Sequence, residues 1–206
     1  MLKRTKGYLL LTLLVLTGLA GNTHSNSISG KERRFLVNQL KDSRETFIKS
    51  IRGLSEAQLN FKVADDKWSV KECVYHLALS EMNLWAMAEG QLKQPANPEK
   101  RAQIKMTDDM VLKVVADRTN KVKTSEPLEP HTAKWTTTNE ALDAFKEKRA
   151  DLVKYVKTTT EDTRNHVVQM PFGYLDTYQL MLMIAAHTLR HTKQIEEVKS
   201  DPNFPK

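Results

Sequence analysis

Four short stretches of this chain carry the same helix-start signature, and they restrict the fold more than any other feature. Ser29-Gly-Lys-Glu32, Ser55-Glu-Ala-Gln58, Ser69-Val-Lys-Glu72 and Thr137-Thr-Asn-Glu140 each place a hydroxyl three residues before a Glu or Gln. In such a capping box the hydroxyl accepts from the N3 amide while the N3 side chain reaches back to the cap. Apolar residues then recur at helical spacing. The first helix, about residues 32 to 52, is lined by Phe35, Leu36, Leu40, Phe47 and Ile51, with Gly53 as its stop. Ser55 opens only a short turn of helix, and residues 61 to 67 form an extended or looped link.

The second long helix runs from Ser69 to about Gln91 with Val70, Cys73, Leu77, Leu84 and Ala88 on its stripe and His76, Ser80 and Met87 along the flank. The third, about 139 to 159, turns Leu142, Phe145, Leu152 and Val156 inward. After a loop at 161–173 with a Pro171-Phe-Gly173-Tyr174 turn, Asp176 or Thr177 caps a fourth helix. Residues 94 to 137 read as an insert, with a helix from Thr107 to near Asn120 followed by Pro- and Thr-rich loop. No segment shows convincing strand alternation. Four amphipathic helices of about 20 residues imply an all-α four-helix bundle with a short helical/loop insert between its second and third main helices.

The first 20 residues stand apart. Lys3, Arg4 and Lys6 precede an apolar run from Tyr8 to Leu19, and Gly18-Leu19-Ala20 supplies small residues for cleavage. This is the pattern of a signal peptide cut near Ala20, too short for a membrane span of about 20 apolar residues. The division expected is 1–20 signal peptide, 21–28 linker, 29–200 bundle and 201–206 tail, in an exported, periplasmic or secreted protein with no membrane attachment after cleavage. Losing the three basic residues takes the formal net charge from +7 to +4. The remaining basic residues interleave with acidic ones, as in Lys146-Glu147-Lys148-Arg149-Ala150-Asp151. Nucleic-acid binding needs clustered positive charge, so that class is excluded. Cys73 is the only cysteine, so no intramolecular disulfide exists.

Chemistry-bearing residues concentrate on the fourth helix. Leu180, Ile184, His187, His191, Ile195 and Val198 fall on one stripe, and imidazoles in an apolar seam need a partner for each nitrogen. A His-x-x-x-His pair by itself is read first as two hydrogen-bonded core histidines. His76, at the edge of the second helix's buried face, changes the balance: three imidazoles with an open fourth position describe a catalytic metal site. His24 lies beside the cleavage site, and His131 and His166 read as surface loop residues. Cys73 is a small core hydrophobe, with thiolate ligand or nucleophile as the alternative. Glu72 caps its helix, with orientation of a ligand histidine as its alternative duty; Glu81 is the other carboxylate near His76. Neither His-Glu-x-x-His nor the Glu-x-x-His of di-iron bundles occurs, so no general base is visible.

Trp68-Ser69-Val-Lys-Glu72-Cys-Val-Tyr-His76-Leu, the helix from Thr137 to Leu152, Gly173-Tyr-Leu-Asp-Thr177 and Ala186-His187-Thr-Leu-Arg190-His191-Thr-Lys-Gln194-Ile195 occur here in that order. Their order and spacing resemble the DinB-like (DinB/YfiT) superfamily over nearly the whole chain after residue 28, with 95 to 136 the loosest part. The resemblance implies a four-helix bundle, a homodimer, and a divalent metal, Zn²⁺ or Ni²⁺ ahead of Fe²⁺ or Mn²⁺, held by His76, His187 and His191. Trp68-Ser69 and Gln194 match the family pattern as structural features. Characterised relatives include thiol-S-transferases and isomerases that use cytosolic thiols; an exported protein would not meet that pool. The function expected is therefore a metal-dependent enzyme, hydrolytic, acting on a small molecule. The alternatives are a metal-dependent thiol-S-transferase and a non-catalytic metal- or ligand-binding bundle.

Overall fold

The computed structural model describes residues 28–206. The expected signal peptide, its cleavage site and His24 lie outside the described residues. The helices are α1 (Gly30–Ile51), α2 (Glu56–Asn60), α3 (Val70–Leu92), α4 (Asp108–Ala116), α5 (Thr138–Thr158) and α6 (Thr177–Lys199). All four capping boxes form, with both reciprocal hydrogen bonds in place. Gly53 takes φ +75° just after α1, where only glycine avoids a steric penalty. Asp176, rather than Thr177, caps α6 by accepting from the Gln179 amide at 2.8 Å.

The long helices α1, α3, α5 and α6 form a four-helix bundle. α1 packs on α5 and α6, and α3 packs on the same two, so α1 stands opposite α3 and α5 opposite α6. The insert lays α4 along the outer face of α6. No helix among the described residues is long and apolar enough to cross a membrane.

Several expectations need correction. Residues 161–173 are more than a loop: β1 (Val167–Met170) and β2 (Gly173–Asp176) pair antiparallel, with Met170 opposite Gly173. The connection is only Pro171-Phe172, and Gly173 at φ +131° completes the reversal. Strands of four residues are too short to display a legible alternation. α4 stops at Ala116 because the Asp117 carboxylate takes the Thr119 amide at 2.9 Å, a local bond that competes with the helix. Met87, expected along the flank of the buried stripe of α3, is exposed. Ile28, the last residue before the expected bundle, is buried, and Phe204 of the tail meets Phe61 edge-on with centroids 5.5 Å apart.

The core is divided by one polar layer. Leu36, Leu40, Leu84, Trp85, Leu152, Val156 and the apolar residues from Leu180 to Ala185 lie on one side. Phe47, Cys73, Leu77, Ala78, Phe145, Ile195 and Val198 lie on the other. Between them Arg149 is fully buried. Its Nε and Nη2 donate to the two Glu81 oxygens at 2.7 and 2.8 Å. Nη1 donates to Leu40 O and Ser43 Oγ at 2.8 and 2.9 Å, and Nη2 also to Thr188 Oγ1 at 2.7 Å. All five guanidinium N–H groups are thereby used, tying α5 to each of the other three bundle helices. Sequence reading missed this layer: Arg149 sits within a charged run that looks solvent-facing.

Removing one member of a buried ion pair strands the other charge, at a cost of about 3–5 kcal/mol. Arg149→Ala is expected to lose stability on that scale in urea unfolding. The joint replacement Glu81→Leu with Arg149→Met, which strands no charge, is expected to lose much less. Equal losses from the two would show that the pairing itself is not what matters at this layer.

Candidate metal centre

His76 projects from the second turn of α3, and His187 and His191 from successive turns of α6. Residues four apart on a helix share a face, so α6 presents two imidazoles together, and the α3–α6 contact supplies the third. One ring nitrogen from each of the three lies within 4.8 Å of the others. His187 Nε2 is 3.3 Å from His76 Nε2 and 3.1 Å from His191 Nε2. His76 and His191 are buried and His187 is half-buried. Trp68 roofs the cluster, its ring centroid 4.8 Å from that of His76 and 5.9 Å from that of His191.

The outward nitrogens determine where the protons are. His76 Nδ1 lies 2.8 Å from Leu128 O, and His191 Nδ1 lies 2.9 Å from Gln194 Oε1. Both partners are acceptors, so both Nδ1 atoms carry the proton and both Nε2 atoms turn lone pairs inward. A single proton on His187 Nε2 can serve only one of them. The Ser80 hydroxyl reaches His76 Nε2 only at 3.4 Å, beyond the usual length for such a bond. A cation bound by the three Nε2 atoms relieves this crowding of lone pairs. The donor set therefore fits a divalent metal.

Burial disfavours the imidazolium form of all three rings. It lowers His76 from the ordinary value to about 4. It lowers His187 to about 3, with a further contribution from His76. His191 is pushed well down by burial and then by His187 and His76. Near neutral pH all three rings are thus unprotonated at Nε2 or free to become so, and few protons have to leave before a metal enters.

The other candidates fall elsewhere. Glu72 is bonded to the Ser69 amide at 2.7 Å and to Lys62 Nζ at 2.8 Å, and Glu81 is committed to Arg149, so neither carboxylate faces the histidines. Cys73 is buried among apolar residues, and that burial pushes its thiol pKa far up. It is a core residue and an unreactive one. His131 is exposed, as expected. His166 is buried, against expectation: its ring nitrogens lie 2.6 Å from Asp162 O and 3.1 Å from Gln94 O, pinning the pre-β1 loop to the end of α3. Main-chain partners of that kind leave no trace in sequence. The same holds for Leu128 O beside His76, whereas Arg118, which donates to the Gln194 side chain at 3.0 Å, is simply far from it in sequence.

The depressed histidine pKa values give a pH dependence with a definite sign. In the unfolded chain imidazoles titrate near 6.5, so between about 6.5 and 3 the unfolded state binds more protons than the folded one. Stability is complete above that window and falls as pH drops through it. The melting temperature of metal-free protein is expected to decline across this range, and less steeply for His187→Gln/His191→Gln. Parallel profiles for the two proteins would show that the histidines are not responsible.

Known proteins share this fold. Residues 39–195 match the family model of the DinB superfamily. The uncharacterized protein YuaE of Bacillus subtilis (strain 168) is 29% identical over 152 residues, covering 72% of this chain and 88% of YuaE. Among solved structures, YfiT from Bacillus subtilis superposes with a TM-score of 0.58 at 17% identity, over 84% of this chain and 89% of YfiT. YfiT is described as a probable metal-dependent hydrolase with an unusual four-helix bundle topology. With the bundle, the three converging histidines and a family match over most of its length, this chain belongs to the DinB superfamily.

Proposed function

We propose that this protein is a metal-dependent hydrolase acting on a small molecule, with His76, His187 and His191 holding one divalent ion, Zn²⁺ or Ni²⁺ in preference to Fe²⁺ or Mn²⁺. The observation that carries the reading is the convergence of three neutral imidazoles, two of which, His76 and His191, have their outer nitrogens already committed to acceptors. Three histidine ligands without a carboxylate suit zinc and nickel, and leave a position open for substrate. When bound there, such an ion supplies Lewis acidity and activates water for attack near neutral pH. The chain's own residues hold the His76 and His191 rings in one tautomer, and Trp68 packs against the faces of these two rings. The description of YfiT as a probable metal-dependent hydrolase adds support at the level of a shared fold. The segment 1–20 supports export as part of the same proposal, and sequencing the mature N-terminus near residue 21 checks it.

Elemental analysis of protein purified without a histidine tag is expected to find about one divalent ion per chain, and Zn²⁺ or Ni²⁺ to raise the melting temperature of stripped protein. His187→Ala is expected to abolish both effects while keeping its helical circular dichroism, and to lose hydrolysis of a panel of esters, amides and phosphoesters. No stoichiometric metal together with no thermal shift would overturn the reading. Metal binding without turnover of any substrate would favour a non-catalytic metal-binding bundle.

A further inference from the structure

The amide of Gln194 faces two groups at once. Its Oε1 lies 2.9 Å from His191 Nδ1 and accepts from Arg118 Nη1 at 3.0 Å. A carboxamide has one accepting and one donating end of nearly the same shape. Turned over, the Gln194 side chain would donate to His191 Nδ1, leaving the proton on Nε2, where it points at the other histidines and blocks a metal. Nothing in Gln194 or His191 alone decides between the two arrangements. Arg118 does, because a guanidinium has only donors and tolerates only the amide oxygen.

Arg118 is itself firmly held. Its Nε and Nη2 donate to the two carboxylate oxygens of Glu197 at 2.8 Å each, and its side chain is only 14% exposed. The backbone that carries it is strapped to α6 on either side. Lys193 Nζ donates to Ala116 O at 2.9 Å, and Arg190 Nη2 donates to Asn120 O at 2.7 Å. Arg118 therefore has anchors that do not depend on Gln194. It comes from the insert, a part of the chain far in sequence from any of the three histidines.

We infer that Arg118 is a positioning residue for the metal centre: by holding the Gln194 oxygen toward His191, it fixes the proton of that imidazole on Nδ1 and keeps the Nε2 lone pair facing His76 and His187. The inference rests on the metal-site reading for its purpose, but the tautomer it assigns is a property of the metal-free protein. Outer partners of this kind commonly change metal affinity by roughly 10–100-fold when removed.

Two measurements test it. Long-range ¹H–¹⁵N spectra of metal-free protein labelled at histidine report each ring's tautomer directly, and competition against a chromogenic chelator gives the Zn²⁺ affinity. Wild type is expected to show His191 with its proton on Nδ1 alone. Arg118→Met is expected to show a mixture of tautomers and a Zn²⁺ affinity lower by roughly 10–100-fold. Adding Gln194→Glu to Arg118→Met is expected to restore the Nδ1 tautomer and most of the affinity, since a carboxylate accepts from either oxygen. Glu197→Gln, which loosens Arg118 without deleting it, is expected to shift the tautomer in the same direction and serves if Arg118→Met does not fold. An unchanged tautomer in the folded variants, or no recovery on adding Gln194→Glu, would overturn the inference. A wild-type protein that binds neither Zn²⁺ nor Ni²⁺ would instead overturn the proposed function, with the tautomer spectra still deciding the role of Arg118.

Discussion

The five hydrogen bonds of Arg149 are the constraint on which the rest of the bundle depends. Apolar stripes on four helices are tolerant of small slides and rotations, since one methyl group packs much like another. A buried guanidinium is not tolerant. It must meet Glu81 on α3, Leu40 O and Ser43 on α1, and Thr188 on α6 together, or leave a donor or a charge unpaired far from water. The layer therefore aligns all four helices at one height. Thr188 follows His187 directly, and Glu81 lies little more than a turn beyond His76. Setting this layer also sets the height at which the three imidazoles meet.

The histidine cluster is polar in the same band of the molecule, but it is arranged differently. Arg149 arrives with a carboxylate to neutralise it, whereas the imidazoles are kept neutral by burial and by one another. Two of the three have their outer nitrogen assigned to an acceptor, and those acceptors are brought or held by the insert: Leu128 O for His76, and Gln194 steadied by Arg118 for His191. The bundle supplies the ligands, and the insert sets the protons of two of them. The ligand-bearing helices α3 and α6 are the most buried of the helices, while α4 of the insert runs over the surface of α6.

Much of the fold was legible because helix starts and helical faces are local. The hydroxyl of Ser69 and the carboxylate of Glu72 find one another three residues apart whatever else the chain does, and all four capping boxes formed where they were read. The convergence of His76, His187 and His191 was legible for a related reason, since buried faces of neighbouring bundle helices must meet. What escaped was carried by partners without a sequence signature. His166 was expected at the surface but is buried against two carbonyl oxygens, and the β1–β2 hairpin is too short for its pairing to outweigh its loop-like composition. Arg149 escaped because a charged residue on a charged helix reads as solvated until the helix is rotated against its neighbours.

The sequence by itself determined the all-α class, the positions at which the long helices begin, the faces they bury and the three histidines that those faces carry. These follow from backbone capping and from hydrophobic periodicity, which act over a few residues. Only the tertiary structure decided which carboxylate pairs with Arg149, that Glu72 and Glu81 stay away from the histidines, and that Leu128 and Gln194 hold the outer nitrogens of two of them. Those are hydrogen bonds between groups far apart in the chain. Such bonds form only after packing has fixed distance and dielectric together, so no local pattern could specify them.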